Sequence, residues 1–425
     1  MEMNIVLERL KSEMKPSMGC TEPVAIGLAV SRTCELLSKP ATHLDMTISS
    51  NIFKNAYSVQ IPNTGTNGIE LSCALGHLLS KQGNTMEIFA EIHPEQVEEA
   101  KKLVNQGFVS VTVLPSSEFF IECVATNEEE KGRTITENAH ENMILAEING
   151  QIVVDKRTLN VLGEREYTFD ITKYTFKDFY DWANIVDVAD LAFIKEGIDM
   201  NLAIADLGMK KKYAIGVGAT LKKLADSGKI SNDMITDIKQ LAAAASDFRM
   251  SGGNGSVMTF LGSGNQGIET MVPMAVFAKH MDIPEEKLLR GEFLGMLIIM
   301  YMKHHIGRLS PICGATLAGA GGAAGMVYMM DGNINQISGA VQNMMGGVAG
   351  MFCDGAKGGC SLKLSICAGE AVYSALFALD DSIIQATDGI ISKQAEETTK
   401  SLAKLSHEGL AHVDMKVIEI MQSKS

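Results

Sequence analysis

The chain has 425 residues, 51 of them acidic and 37 basic, for a formal net charge of -14. That length exceeds one ordinary core, so two or more domains are expected, and the acidic balance opposes binding to nucleic acid or to an anionic membrane surface. Eight cysteines are too few for a disulfide scaffold, so any that cluster point to metal binding or catalysis.

The N-terminal stretch MEMNIVLERLKSEMKPSMGC carries acids in its first turns and lacks the basic and apolar blocks of a secretory signal, so a cytoplasmic location is expected. Ile5, Val6, Leu10 and Met14 recur at helical spacing until Pro16, and Pro23 suits the first turn of a second helix, VAIGLAVSRTCELLS. Residues 1–38 therefore read as two helices broken at KPSMGCTEP. Cys20, Thr21 and Glu22 fall at or just before the second helix. Free backbone N–H groups there favour a substrate carboxylate, and the same position lowers a thiol's pKa. A plain capping turn with Thr21 as N-cap gives the same pattern.

From 39 to 185 the texture is alternating and β-branched. DMTISSNIF, TMEIFAEI, SVTVLP, FFIECVAT, TITEN, MILAEI, QIVVD and TFDIT read as strands, and EQVEEAKKLVNQG as an amphipathic helix. The expected fold class is α+β, with a mainly antiparallel sheet domain inserted after the N-terminal helical segment. Asn63 and its Thr/Gly neighbours form a polar turn before a helix containing Glu70, able either to bind a small polar ligand or simply to cap that helix.

Residues 176–186 read as a join to an all-helical domain over 186–425. Within it, six glycines fall between Ser251 and Gly267, without the ending of a P-loop or the GxGxxG spacing of a dinucleotide fold. Ser251, Asn254, Ser263, Asn265 and Gln266 are candidate donors to a small ligand at helix starts. Adjacent His304 and His305 point in different directions from a helix, so at most one could face a site. Charge-free runs near the length of a membrane span are cut by Pro311, repeated glycines and Asn333, Asn335, Gln336, Gln342 and Asn343; buried helices packed through Gly and Ala explain them.

Cys313, Cys353 and Cys360 stand in that Gly/Ala/Met-rich region, the last two in a CDGAKGGC loop, and Asp331 is the one charged residue between Leu309 and Cys353. The spacing does not match the paired Cys units of a structural zinc site. Iron-sulfur clusters draw ligands from distant loops, and three cysteines would leave one iron of a [4Fe-4S] cluster open as a Lewis acid. Core thiols or a redox pair remain alternatives.

MGCTEPVAIGLAV, SGGNGS, the order of the three cysteines and CDGAKGGC together resemble the L-cysteine desulfidase family, which is distantly similar to the iron-sulfur L-serine dehydratases. The likeness runs along the whole chain. It implies a cytoplasmic lyase that converts L-cysteine to pyruvate, ammonia and sulfide without pyridoxal phosphate, using a [4Fe-4S] cluster held by Cys313, Cys353 and Cys360. It also implies Cys20 as a fourth ligand or as the base. Lys357, within the ligand loop, is the alternative base, and Thr21, Glu22, Asn63, Ser251, Asn254, Ser263 and Asn265 are the candidates around an amino-acid substrate. The last two cysteines stand closer together than in the dehydratases and the chain ends QSKS, which points away from serine as the main substrate. A serine/threonine dehydratase and a non-catalytic cluster-bearing amino-acid sensor are the competing readings. Neither nucleic acid nor membrane is an expected partner, and a homodimer is a possible assembly.

Overall fold

The structure is a computed structural model that describes residues 2–80, 85–116, 118–157 and 169–424. It is α+β, with a mixed sheet and a large helical C-terminal part. Helix α1 (Glu2–Glu13) leads into strand β1 (Met14–Met18) and helix α2 (Thr21–Cys34). Then come β2 (His43–Ser49), α3 (Ser50–Ala56), α4 (Ile69–Leu78) and α5 (Pro94–Asn105), followed by β3 (Val109–Leu114), β4 (Phe120–Thr126), β5 (Lys131–Glu137), β6 (Met143–Ile148) and β7 (Gln151–Asp155). The sheet order is β3-β2-β4-β5-β6-β7; β2 and β3 run parallel and the other pairs antiparallel.

Helix α2 is buried along nearly its whole length because it is covered on two sides. Ala25, Ile26, Ala29 and Val30 share a core with Leu44, Met46 and Ile48 of β2 and Ile121, Cys123 and Ala125 of β4. On the other side Val24 and Leu28 pack with Leu71 and Leu75 of α4 and with Phe89. Alternation along β4, with Ile121, Cys123 and Ala125 buried, is what turns that strand's apolar face onto the helix.

The C-terminal part contains α6 (Phe176–Ile185), α7 (Ala192–Met209), α8 (Val217–Asp226), α9 (Met234–Met250), strand β8 (Ser256–Phe260), α10 (Gly264–His280), α11 (Glu285–Ile306), α12 (Gly314–Met329), α13 (Ile334–Val348), α14 (Cys360–Leu379), α15 (Ala395–Lys404) and α16 (Val413–Gln422). Its densest contact joins α11 to α12 through glycines facing glycines. A Cβ on Gly295 would lie 2.6 Å from the Gly321 carbonyl oxygen, and one on Gly321 would lie 2.5 Å from the Gly295 oxygen. Gly325 and Gly291 repeat the relation one turn on, at 2.7 Å. The two helices therefore touch backbone to backbone, and α12 is seated at a fixed depth with Cys313 as its N-cap. Helix α14 is the one described helix long and apolar enough to cross a membrane; 56% of that span is buried inside the protein.

Several expectations are corrected. The KPSM break is strand β1, which pairs antiparallel with β8 inside the segment expected to be wholly helical. Pro16 is tolerated there because the pair has no further strand that needs its missing N–H. The second half of DMTISSNIF is helix α3, with Ile52 and Phe53 buried against the sheet. TMEIFAEI forms turns instead of a strand: Met86, Ile88 and Phe89 fill the space beneath α2 and α4, and among the described residues no neighbouring strand offers a ladder. Of TFDIT, residue 168 lies outside the described residues, and Ile171–Lys173 is a short 3-10 turn. The segment FKDFYDWANI, read as the start of the helical part, is helix α6, capped by Thr175 and packed through Phe176 and Phe179 on Tyr301 of α11.

Replacing Gly321 by Val should destabilise the protein by about 1–3 kcal/mol, because the added carbons overpack a backbone contact that cannot separate without moving α12. Urea denaturation followed by circular dichroism checks this; a midpoint equal to that of the wild type would contradict the packing described.

Candidate active site

Three thiols are brought together by two short devices. The segments around Cys313 and Cys353 are clipped by a β-bridge between Ile312 and Phe352: the Cys313 N–H donates to the Met351 carbonyl at 2.9 Å and the Cys353 N–H to the Pro311 carbonyl at 2.6 Å. Cys360 opens helix α14, its N–H donating to the Lys357 carbonyl at 2.9 Å. The loop between them can turn because Gly355 adopts φ +91°; a Cβ there would also meet the Lys54 carbonyl oxygen at 2.3 Å. Burial, then the neighbouring Cys353 and Cys360 sulfurs, push the Cys313 thiol up to about 12, and burial raises Cys360 as well. Each thiol is thus within electrostatic reach of the others.

Among the described residues no group of three or more His, Cys, Asp or Glu closes on a single metal ion. Basic groups surround the three thiols. The charges of Cys313 and Cys353 are felt by Lys303 and by Lys363, which also pairs with Asp354 at 2.5 Å.

Lys54 is fully buried and holds the loop from behind. Its Nζ donates to Asp414 Oδ1 of α16 at 2.5 Å and to the Cys353 carbonyl at 3.2 Å. One side chain thereby links α3, the last helix and a thiol-bearing loop.

Beside the thiols lies a cavity of about 100 Å³, enough for several waters or one small metabolite. Its wall includes Cys353, Glu22, Lys54, Asn55, Ser263 and Gln266, and Ile312 and Gly314 flank Cys313 there. A larger vestibule of about 690 Å³ adjoins it, between β1, the turn joining β5 to β6, and the end of α11. His140, Leu261, Gly262, Lys303 and Arg308 line both spaces and so form the constriction between them.

Glu22 is the polar centre of the inner wall. Its Oε2 accepts from Cys20 Sγ at 3.0 Å and Thr21 Oγ1 at 2.9 Å, and its Oε1 from Asn55 Nδ2 at 3.0 Å. Burial works against its ionisation, but the neighbouring His140, the hydrogen bonds from Cys20 and Thr21 and the Arg249 charge outweigh it, leaving the carboxyl below its usual value. Burial lowers Lys303 to about 8, although its ammonium donates to the Gly307 and Arg308 carbonyls. Arg308 Nη2 grips both carboxylate oxygens of Glu13 at 2.6 Å. His140 is lowered to about 4 by burial, against the pull of Glu22, and its buried Nε2 has no hydrogen-bond partner.

Of the residues expected from sequence, Glu22, Ser263, Gln266 and Cys353 line the inner cavity, and Thr21 and His304 line the vestibule. Cys20 is the N-cap of α2 and packs with Val59, Met250, Ala356 and Cys360. The expected lowering of its pKa is corrected: burial, reinforced by the Glu22 charge, raises it well above the ordinary thiol value. Lys357 is ion-paired with Asp354 and is absent from both walls. Asn63, Ser251, Asn254 and Asn265 line neither space. Asn63 donates to the Phe89 and Ala90 carbonyls, Ser251 to the Phe248 carbonyl, and Asn265 accepts from Arg249, so these are structural polar groups; Asn254 is exposed. Asn51, Lys54, Asn55, His140, Lys303 and Arg308 were missed. Lys54 alone carried a signal, as a lysine inside the apolar run SNIFKNA.

Residues 83–419 match the family described as serine dehydratase alpha chain. Along nearly its full length the chain is similar to a UPF0597 protein of Desulfatibacillum aliphaticivorans, 36% identical over 430 aligned positions that cover 99% of this chain and 98% of that one. UPF0597 proteins of Clostridium tetani (34% identical, 98% of each chain) and Clostridium perfringens (35%, 99% of this chain and 98% of that one) are comparable.

Substituting Lys54 by Met leaves Asp414 buried without a counter-charge and should cost about 3–5 kcal/mol, whereas adding Asp414→Leu should restore part of it. Denaturant titrations of the two variants against wild type check the order. His140 gives a second test. Its pKa is near 4 when folded and about 6.5 when unfolded, so the unfolded chain binds more protons between those values and stability falls as pH drops through that window. The charged groups facing the ring are Glu22, Arg308, Glu141 and Arg249. Between pH 7 and 5, above the carboxylate range, His140→Gln should flatten the slope of stability against pH; an unchanged slope would contradict the half-buried, neutral ring.

Proposed function

The chain belongs to the serine dehydratase alpha chain family, and on that premise we propose that it is an iron-sulfur lyase that eliminates sulfide from L-cysteine. The observation that carries this reading is the grouping of Cys313, Cys353 and Cys360 beside a small polar cavity whose wall Cys353 joins. Three thiols in mutual reach, with Lys303 and Lys363 nearby and Lys54 behind, form a donor set suited to an anionic [4Fe-4S] cluster. Cys20 belongs to a small apolar cluster with Val59 and Met250 against which Cys360 also packs, which supports a fourth sulfur for the same site. When bound, the cluster supplies a Lewis-acidic iron that weakens the bond to the leaving group.

The chain's own residues do the rest. Helix α10, whose N-cap Ser263 already accepts from the Gln266 N–H, turns the positive end of a helix toward the substrate carboxylate. Ionised Glu22 takes the substrate ammonium, and its contacts with Thr21 and Asn55 keep it oriented. The narrow constriction limits water around the reacting carbons. Loss of the α-proton and of the β-thiol as hydrosulfide leaves aminoacrylate. This tautomerises and takes up one water to give pyruvate and ammonia.

The family description favours a second reading, dehydration of L-serine by the same groups with hydroxide as leaving group. Anaerobically reconstituted protein assayed in parallel for sulfide and pyruvate from L-cysteine and for pyruvate from L-serine ranks the two. We expect the larger kcat/KM with cysteine; a larger value with serine would transfer the assignment to the dehydratase, and no product from either would overturn the lyase reading. Cys353→Ala should lose most of the iron, measured per chain after anaerobic reconstitution; full iron content in this variant would remove Cys353 from the ligand set.

A further inference from the structure

The titratable groups in the inner cavity wall differ sharply in what they are free to do. Lys54 is committed to Asp414 and the Cys353 carbonyl, Lys303 to two backbone carbonyls, and Arg308 to Glu13. Glu22 has both carboxylate oxygens engaged, accepting from Cys20, Thr21 and Asn55. His140 alone among them keeps a ring nitrogen, Nε2, buried and without a partner. Cys20 donates its thiol hydrogen to Glu22, and Lys357 sits in an ion pair away from the wall.

The placement of His140 is built. It stands on the turn between β5 and β6 of the α+β part, reaching toward residues of the helical part. Phe119 packs edge-on to its ring at 4.8 Å between centroids. On another side the ring lies against Gly262, where a Cβ would come within 3.2 Å of His140 Cε1 and of Arg308 Nη1. A side chain at residue 262 would therefore crowd both groups. This leaves the imidazole at the constriction, with Glu22 across the same cavity.

We propose that His140 is the base that takes the α-proton from the amino acid seated in the inner cavity, and that the α+β part contributes to catalysis by carrying it. In this step the imidazole Nε2 gains the α-proton, the C–H electron pair forms the α,β double bond, and the β-substituent leaves with its bonding pair. Glu22 opposes the imidazolium that results, across the cavity, and so favours the transfer. The proposal rests on the elimination reading above.

The test uses the full-length, anaerobically reconstituted enzyme. His140→Ala and His140→Gln should each lower kcat by about 10²–10⁴-fold, the range expected for a lost general base, with iron per chain and KM within about twofold of wild type. Added imidazole should restore part of the activity of His140→Ala and none of that of His140→Gln, whose side chain fills the space. A kcat within fivefold of wild type, a loss of iron parallel to the loss of activity, or a rise in KM at unchanged kcat would overturn the assignment. If His140→Ala proves too unstable to assay, the His140→Gln kinetics and iron content decide alone. Failure of the wild type to release product from either amino acid is a separate result, which removes the lyase reading itself.

Discussion

The loop that carries Cys353 into the inner cavity is held in place by one buried ammonium group. Lys54 has no access to water, and placing its charge in the interior costs several kcal/mol unless it is matched. Asp414 matches it, and the Cys353 carbonyl takes another of its hydrogens. A helix that leaves the central sheet, a glycine-rich loop and the last helix of the chain are therefore fixed relative to one another by one nitrogen. Gly355 allows the contact, since its missing side chain lets the loop lie on the Lys54 backbone.

A second constraint acts from the opposite side. The face-to-face glycines of α11 and α12 bring two helices as close as backbone permits, and Cys313 sits at the first turn of one while Lys303 sits in the last turn of the other. The distance between a thiol and a basic group is thereby set by main-chain contact, which is stiffer than side-chain packing. The cavity lies where these two constraints meet, with the α+β part contributing Glu22, Asn55 and His140 and the helical part contributing Ser263, Lys303, Arg308 and Cys353.

Much of this was readable in the amino acids. FIECVAT marks a strand by its strict alternation, MILAEI and QIVVD by short apolar or β-branched runs, and the Gly/Ala-rich stretches do pack as close helices. The misses have physical causes. MKPSM and SVMTF are too short and irregular to show a period, and become strands only because they meet each other. TMEIFAEI alternates as a strand does, yet its apolar residues serve a core under two helices. At the site, the cysteines and Glu22 stand in motifs and could be found, whereas His140 sits in an ordinary polar turn and gains its meaning from Phe119 and Gly262, distant or unremarkable in the chain. The same limit misled the reading of Cys20: a helix start argues for an acidic thiol, but burial beside a carboxylate overrules it.

The Lys54–Asp414 link also bears on the order of events as the polypeptide is made. Lys54 emerges 360 residues before Asp414, and over that stretch of synthesis the ammonium has no counter-ion in the interior it must enter. The final closure of the thiol-bearing loop is then a task for the C-terminal helix. A ribosome that stops short of that helix would release a chain whose sheet and early helices can form while its sulfur pocket stays open.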